Sequence, residues 1–513
     1  MVITIVGGGA TSLAFLYNYI AAVPSGQQPE TTVYLVEKRG VFGPGAAYAR
    51  DVSSNILNTK TGFITPFHDR PGDFYNWLRE NEWAWRRNFP TFDLHPDSYA
   101  PRPLFGMYLQ AKMAWVVKHA LTANVRIIQV DAEVIDIAMV GNSCVARTNC
   151  SLTLTSDHVF LACGTLPAKP DAFAGEAGRI LPSPYPVAEL PHKIAPEAHV
   201  GIVGARLSCI DAVIGLVESG HRGRIAIHSR SGYFPCVRGT QGRIVPKFLE
   251  QGNLEKLVRE KGRLRLTDIV ALVQQEIAHA SGGELPRDMA LPPAPPRDLA
   301  VYLEQEIELA RAPRPWQAVL YSTNAIIDQL WLALRDSEKA MFLSDYFSAF
   351  MSYRVSIPTE NAAKLLRCLK SGQLSFHAGE FAIEADADGK PVIRMGADHR
   401  HGALKYDYLI NATGSPRSTK RLESTLLANL LQRGMAVEHP LGGIAVERHS
   451  YEVVGRFPGK GRLHAMGELT TGTFFFTSAL DINARHARNC ATTFAASIFR
   501  QETVEMEPAA AAG

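Results

Sequence analysis

The sequence predicts an α/β chain with two Rossmann-like dinucleotide-binding domains and a mainly helical insertion, and three observations carry that expectation. Short β-branched runs (VITIV, TVYLV, HVFLA, HVGIVG, RIAIHS, YDYLINATG) alternate with helical patterns, the texture of parallel strands joined by crossover helices. Two of these runs, some 200 residues apart, lead straight into glycine turns. Between about 241 and 365 the pattern changes to amphipathic stretches such as NLEKLVREKGRL and NAIIDQLWLALRDSEKAMFLSDYF, with apolar residues three and four apart.

The first unit opens on VITIVGGGATSLAFLYNYI, a strand, a turn and an apolar helix. Gly7 permits the tight turn, Gly9 and Ala10 let backbone amides approach a pyrophosphate, and Ser12 is small enough for close helix packing. The helix N-terminus adds a dipole that favours the phosphate charge. TTVYLVEKRG then places Glu37 where a carboxylate takes the hydroxyls of an adenosine ribose, with Lys38 beside it. The spacing from Gly9 to Glu37 exceeds the usual pattern because VPSGQQPE intervenes. A second glycine pair, Gly43 and Gly45, suits the far end of a long dinucleotide and favours FAD. DAEVIDI would bring Val134 near an adenine, and HVFLACG closes over the cofactor at Gly164.

The boundaries follow from these textures. Residues 1–197 and 366–505 form a discontinuous FAD-binding domain, 198–240 start a second domain of NAD(P) type, 241–365 are the helical insertion, and 506–513 are a disordered tail. The break ELPRDMALPPAPPRD reads as a surface loop.

Composition excludes several classes. A net charge of +3 from 53 basic and 50 acidic residues provides no field for nucleic acid. Seven scattered cysteines without a C-x-x-C pair indicate neither a disulfide framework nor a metal site, and read as buried thiols in a reducing compartment. There is no signal-like N-terminus and no long apolar run, so a cytoplasmic protein without membrane contact is expected. The partner expected is a small-molecule substrate.

The motifs together resemble the bacterial FAD/NAD(P)-binding proteins among the two-dinucleotide-domain flavoproteins, relatives of N-hydroxylating and Baeyer-Villiger flavin monooxygenases. The segments that carry the resemblance are FGPGAAYARDVSSNILNT, YAPRPLFGMYL, GIVGARLSCIDAVIGLVESGHRGRIAIHSRSG, WQAVL, YDYLINATGSP and MGELTTGTFFFTSALDINARHA. The resemblance adds Asn58, Gly414, Gly467, Glu468 and Thr473 to the FAD-binding candidates. Glu468 stands where relatives have an aspartate. Arg102 would anchor a phosphate or a substrate carboxylate, or make a surface ion pair. Arg102 and His68 are the catalytic candidates, and no acid or base is assigned beyond them.

In the second turn, relatives read Gly-x-Gly, whereas this chain reads Gly204-Ala205-Arg206. The arginine fills an approach that bare backbone leaves open, yet it is itself a phosphate partner if it swings outward. Ser208 opens the following helix, and Arg230 stands where a 2′-phosphate would be read, which favours NADPH. Two outcomes stay open: NADPH binds in a shifted pose, or the domain is a retained scaffold and substrate reduces the flavin. MSYRVSIP keeps Arg354 and Pro358 but lacks the histidine of relatives.

The leading function is therefore a single-component, NADPH-linked FAD monooxygenase acting on a small substrate such as an amine or amino acid. In that reading Phe474, Phe475 and Phe476 either keep a pocket dry or pack the core. The alternatives are an FAD oxidase or dehydrogenase that ignores NAD(P)H because of Arg206, and a non-catalytic FAD-binding scaffold offering the stripe Ile326, Ile327, Leu330, Trp331 and Leu334 to a partner.

Overall fold

In the computed structural model, residues 1–22, 30–169, 178–289, 293–396, 401–456 and 462–505 are described. The chain divides into two compact units, the first formed by Met1–Arg50, Thr59–Leu166 and the chain from Arg417 onward, the second by Asp51–Asn58 and Pro167–Pro416. The strands, in chain order, are β1 (Val2–Val6), β2 (Thr31–Glu37), β3 (Val125–Asp131), β4 (Val134–Val140), β5 (Ser143–Thr148), β6 (Thr153–Ser156), β7 (His158–Leu161), β8 (Ile180–Leu181), β9 (Val200–Val203), β10 (Ile225–Ser229), β11 (Leu374–Ala378), β12 (Phe381–Ala385), β13 (Pro391–Met395), β14 (His401–Lys405), β15 (Tyr408–Asn411) and β16 (Leu463–Ala465).

The first unit is built on a sheet of order β16-β7-β1-β2-β3 in which every pairing is parallel. Its central strands read as continuous apolar runs because both faces are covered. The helix Ala10–Ala22 is apolar on nearly all sides, so it too must be enclosed. The Phe15 ring packs 4.5 Å from Phe160 of β7, and Tyr19 lies 5.9 Å from Phe494 of the terminal helix Leu480–Glu505. The chain reverses its direction of sheet growth beside β1, with β7 on one side and β2 on the other. In such sheets ligands bind at the carboxyl ends of the strands at this point. A small antiparallel sheet, β4-β5-β6, completes the unit.

The second unit repeats the theme in a parallel sheet of order β11-β10-β9-β15-β8, flanked by the antiparallel sheet β12-β13-β14. Helices Gln251–Lys261, Leu266–Ala280, Leu299–Leu309, Pro315–Ser322 and Phe347–Arg354 dominate its described residues between 241 and 365, and Trp316, Val319, Leu264 and Ile277 form a separate core there, each fully buried. Ile326, Ile327, Leu330, Trp331 and Leu334 are 4, 5, 6, 3 and 4% exposed. That stripe is interior packing and offers no surface to a partner.

The domain boundaries differ from the sequence expectation, and strand pairing gives the reason. β8 pairs with β15, and β11 pairs with β10, so 178–197 and 366–416 belong to the second unit instead of the FAD-binding one. The excursion 51–58 joins it through Asp51, whose carboxylate accepts the Val187 and Ala188 amides at 3.0 and 2.8 Å. The expected tail 506–513 lies outside the described residues. Cysteines 144, 209, 236, 368 and 490 are buried, but Cys150 is exposed on the β5–β6 turn and Cys163 is half-buried, which corrects the expectation of uniformly buried thiols. Among the described residues no helix is long and apolar enough to cross a membrane.

Candidate functional site

The turn after β1 has the geometry its sequence implies. Gly7 adopts φ +103°, and a Cβ there would collide with the Ala162 carbonyl that follows β7. The Gly7 amide donates to the Val36 carbonyl at 2.8 Å, and Ser12 Oγ donates back to the Gly7 carbonyl at 2.5 Å, which draws the helix start onto the strand end. Glu37, at the end of β2 and 7% exposed, accepts the Gly8 amide at 2.8 Å and the Arg39 amide at 3.2 Å. These two bonds fix the carboxylate beside the turn. Gly9 faces Gly45, φ +59°, across the opening: a Cβ on Gly9 would stand 3.4 Å from the Gly45 Cα. The two missing side chains leave a backbone-lined cradle, and Ala10 begins the helix behind it.

Gly467 joins this corner. It follows β16 with φ +73°, and a Cβ there would lie 3.8 Å from Thr11 Oγ1. Burial pushes the Glu468 carboxyl up, and nearby Arg417 draws it back down. Arg417 donates to the Leu441 and Thr471 carbonyls, both at 3.0 Å, so the same guanidinium braces the turn leading to Thr473. Thr473 is 9% exposed, and Phe474, Phe475 and Phe476 are buried. Phe475 has φ +66°, ψ −69°, and the Phe476 amide donates to the Phe474 carbonyl at 2.9 Å, the strained form of γ-turn.

The remaining first-unit candidates have varied positions. Val134 starts β4 and is 4% exposed, and Gly164 has φ +66° past the end of β7. Lys38 is spent on a surface ion pair with Glu133 at 3.1 Å, both side chains about half exposed. Arg102 opens the helix Arg102–Ala120, where the dipole disfavours a cation, and Asp481 is a carboxylate facing the same Tyr48. Burial pushes the Tyr48 phenol up to about 12 against the pull of Arg102. Gly106 lets this helix touch the Tyr48 carbonyl, which a Cβ would strike. His68 is exposed, and burial of part of its ring followed by Arg488 and Arg485 lowers its pKa, which ill suits a proton donor. Sequence reasoning passed over Gly8, Tyr48, Arg417 and Asp481. Of these only Gly8, inside the glycine run, carried a sequence signal.

Asn58 and Gly414 fall in the second unit. There Gly204, φ +111°, turns the chain after β9, and a Cβ on it would press on the Ala412 carbonyl that follows β15. Arg206 caps the helix Leu207–Glu218, with Ser208 half-buried in its first turn. The Arg206 guanidinium lies 5.0 Å from the Phe347 ring centroid and donates to Ser348 Oγ at 3.4 Å. Burial lowers the pKa of this group. Arg230 is exposed past β10, its guanidinium 5.2 Å from the Phe381 centroid. Among the described residues no cluster of His, Cys, Asp and Glu could hold a metal ion.

Comparison with known proteins agrees with this geometry. Residues 4–166 match a family model described as FAD-NAD(P)-binding. No curated protein matches the chain. Among solved structures, ornithine hydroxylase from Pseudomonas aeruginosa is similar at 16% identity and a TM-score of 0.55, covering 97% of this chain and 99% of its own. The ornithine N-hydroxylase of Kutzneria sp. 744, solved with reduced FAD, NADP+ and L-ornithine, gives 15%, 0.55, 98% and 99%. The L-lysine 6-monooxygenase of Pseudomonas syringae gives 15%, 0.55, 97% and 99%. At such identities the likeness is one of fold. Residues 4–166 are therefore an FAD/NAD(P)-binding domain, set in a chain that has the fold of two-dinucleotide-domain flavoproteins.

Proposed function

We propose that the chain is an FAD-dependent oxidoreductase, and specifically a single-component monooxygenase that takes electrons from NADPH and oxygenates a small amine or amino acid. The observation that carries the reading is the Gly7–Ser12 turn at the sheet's switch point with the Glu37 carboxylate already fixed on the Gly8 amide. The residues fit the cofactor. Backbone amides from Gly9 to Ser12 would meet its pyrophosphate at the helix N-terminus, and the free lone pairs of Glu37 would accept the ribose hydroxyls. Val134 and Gly164 would border the adenosine end, and Gly45, Gly467, Glu468 and Thr473 the flavin end. Bound FAD supplies the two-electron redox chemistry. The protein's share is orientation and water exclusion, for which the buried run Phe474–Phe476 is suited.

In the second unit, Arg206 turned onto Phe347 and Ser348 supports NADPH binding with an arginine at the turn, because a guanidinium held only by a ring contact and one long hydroxyl bond can return to a phosphate. The same arginine favours a second reading, an FAD oxidase or dehydrogenase reduced by its own substrate. Anaerobic mixing of the FAD-loaded protein with NADPH separates them. Bleaching of the flavin band within seconds is expected for the monooxygenase, and an unchanged band sinks it in favour of the oxidase.

A further inference from the structure

Three segments of the second unit bring two arginines onto one phenol ring. The extended stretch 236–238 is locked to 355–357, with the Arg238 amide donating to the Ile357 carbonyl and the Ile357 amide to the Cys236 carbonyl, both at 2.9 Å. Tyr321 lies in the last turn of the helix Pro315–Ser322, and Arg354 ends the helix Phe347–Arg354. The Arg238 guanidinium carbon is 4.4 Å from the Tyr321 ring centroid and that of Arg354 is 5.2 Å. Fully buried Ser356 ties the group together, accepting from Arg238 Nε at 2.9 Å and hydrogen-bonding the Tyr321 hydroxyl. Arg354 is itself 5% exposed and donates to Asn324 Oδ1.

Both cations are permanently charged, and convergence on one ring sets them against each other. A helix C-terminus favours the cation at Arg354, but Arg238 sits in an extended segment and gains nothing of that kind. The backbone pairing and the Ser356 hydroxyl instead fix the direction of the Arg238 fork, and Asn324 Oδ1 fixes that of Arg354. A pair of oriented forks on an aromatic plate is the donor set that recognises an oxyanion. We propose that Arg238 and Arg354, held on Tyr321, bind the oxyanion of a small ligand: either the carboxylate of the substrate or a phosphate of the nicotinamide dinucleotide. This rests on reading the chain as an oxidoreductase of small molecules.

The test is isothermal titration of FAD-loaded protein with four probes: L-ornithine, putrescine as the same amine skeleton without the carboxylate, NADP+, and NAD+. The wild type is expected to prefer L-ornithine over putrescine if the oxyanion is a carboxylate, or NADP+ over NAD+ if it is a phosphate. Arg238→Gln should erase that preference, weakening the favoured probe about tenfold or more. Arg238→Lys, which keeps the charge and loses the fork, should recover part of it, and Arg354→Gln should act as Arg238→Gln does. Equal affinity of wild type and Arg238→Gln for every probe overturns the proposal, as does a wild type that shows neither preference. Flavin bleaching by NADPH, followed in the same preparations, reports separately: a wild type that discriminates its probes but is not bleached loses the monooxygenase reading and retains this site.

Discussion

The guanidinium of Arg206 lies 5.0 Å from the ring centroid of Phe347 and donates to Ser348 Oγ at 3.4 Å, so the side chain that follows the Gly204 turn rests on the helix Phe347–Arg354. If that arginine returns to a phosphate when NADPH binds, Arg206→Gln should raise the KM for NADPH about tenfold, the scale of one charge-assisted hydrogen bond, with FAD content unchanged. Steady-state kinetics decides it. Arg206→Gly separates the alternatives, because a gain of NADPH-driven flavin reduction in that variant would show that the native arginine blocks the turn.

Glu37 is the matching test in the first unit. Glu37→Gln keeps an oxygen to accept the Gly8 amide, now at 2.8 Å, gives up the longer bond from the Arg39 amide at 3.2 Å, and removes the charge that would strengthen its bonds to ribose. FAD should bind about tenfold more weakly, measured by quenching of flavin fluorescence, while the melting temperature of the FAD-free protein changes little. An unchanged affinity would remove Glu37 from the site.

How much of this was readable beforehand differs by residue. The strands β1, β2, β7, β9, β10 and β15 were all legible, because buried parallel strands are written as short apolar runs bounded by turn residues. The glycine turn at Gly7 was legible because a positive φ demands a residue without a Cβ. Unit membership was not. It depends on pairings such as β8 with β15, more than two hundred residues apart, and on Asp51 capturing the Val187 and Ala188 amides, which any surface aspartate could equally have failed to do. The direction of Arg206 was also hidden, since it is set by Phe347, a residue of the helical insertion.

Buried charge in the helical block makes a stability prediction. Arg314, 2% exposed, donates to both carboxylate oxygens of Glu306 at 2.7 and 3.0 Å and to Asp288 at 2.8 Å, and Glu306 in turn accepts the Val237 amide. Arg314→Met leaves that carboxylate without its cation and should cost about 3–5 kcal/mol. The double change Arg314→Met with Glu306→Leu should cost less than Arg314→Met alone, as read by urea denaturation. An additive loss would show that the pair does not act as a unit.

Acid sensitivity should come in part from His228. Its ring is fully buried on β10, bonded through Nε2 to the Tyr406 hydroxyl at 2.6 Å and stacked 5.0 Å from His377. Burial, followed by His377 and His199, pushes its pKa down from 6.5 to about 3. The unfolded chain therefore binds the proton more readily, so stability is full above about pH 6.5 and falls as pH drops toward about 3, by about 1.4 kcal/mol per pH unit. His228→Gln should flatten the acid limb of a stability–pH profile by about that slope. An unchanged limb would mean that His228 does not contribute.

The most direct test of the whole account is to titrate the purified full chain with FAD and follow visible absorbance and bound stoichiometry. The account predicts a yellow protein holding one FAD per chain at micromolar concentration, with Gly7→Ala colourless because φ +103° and the Ala162 carbonyl exclude a Cβ. A wild-type chain that stays colourless with added FAD, or a Gly7→Ala variant that folds and binds FAD as well as wild type, would contradict it.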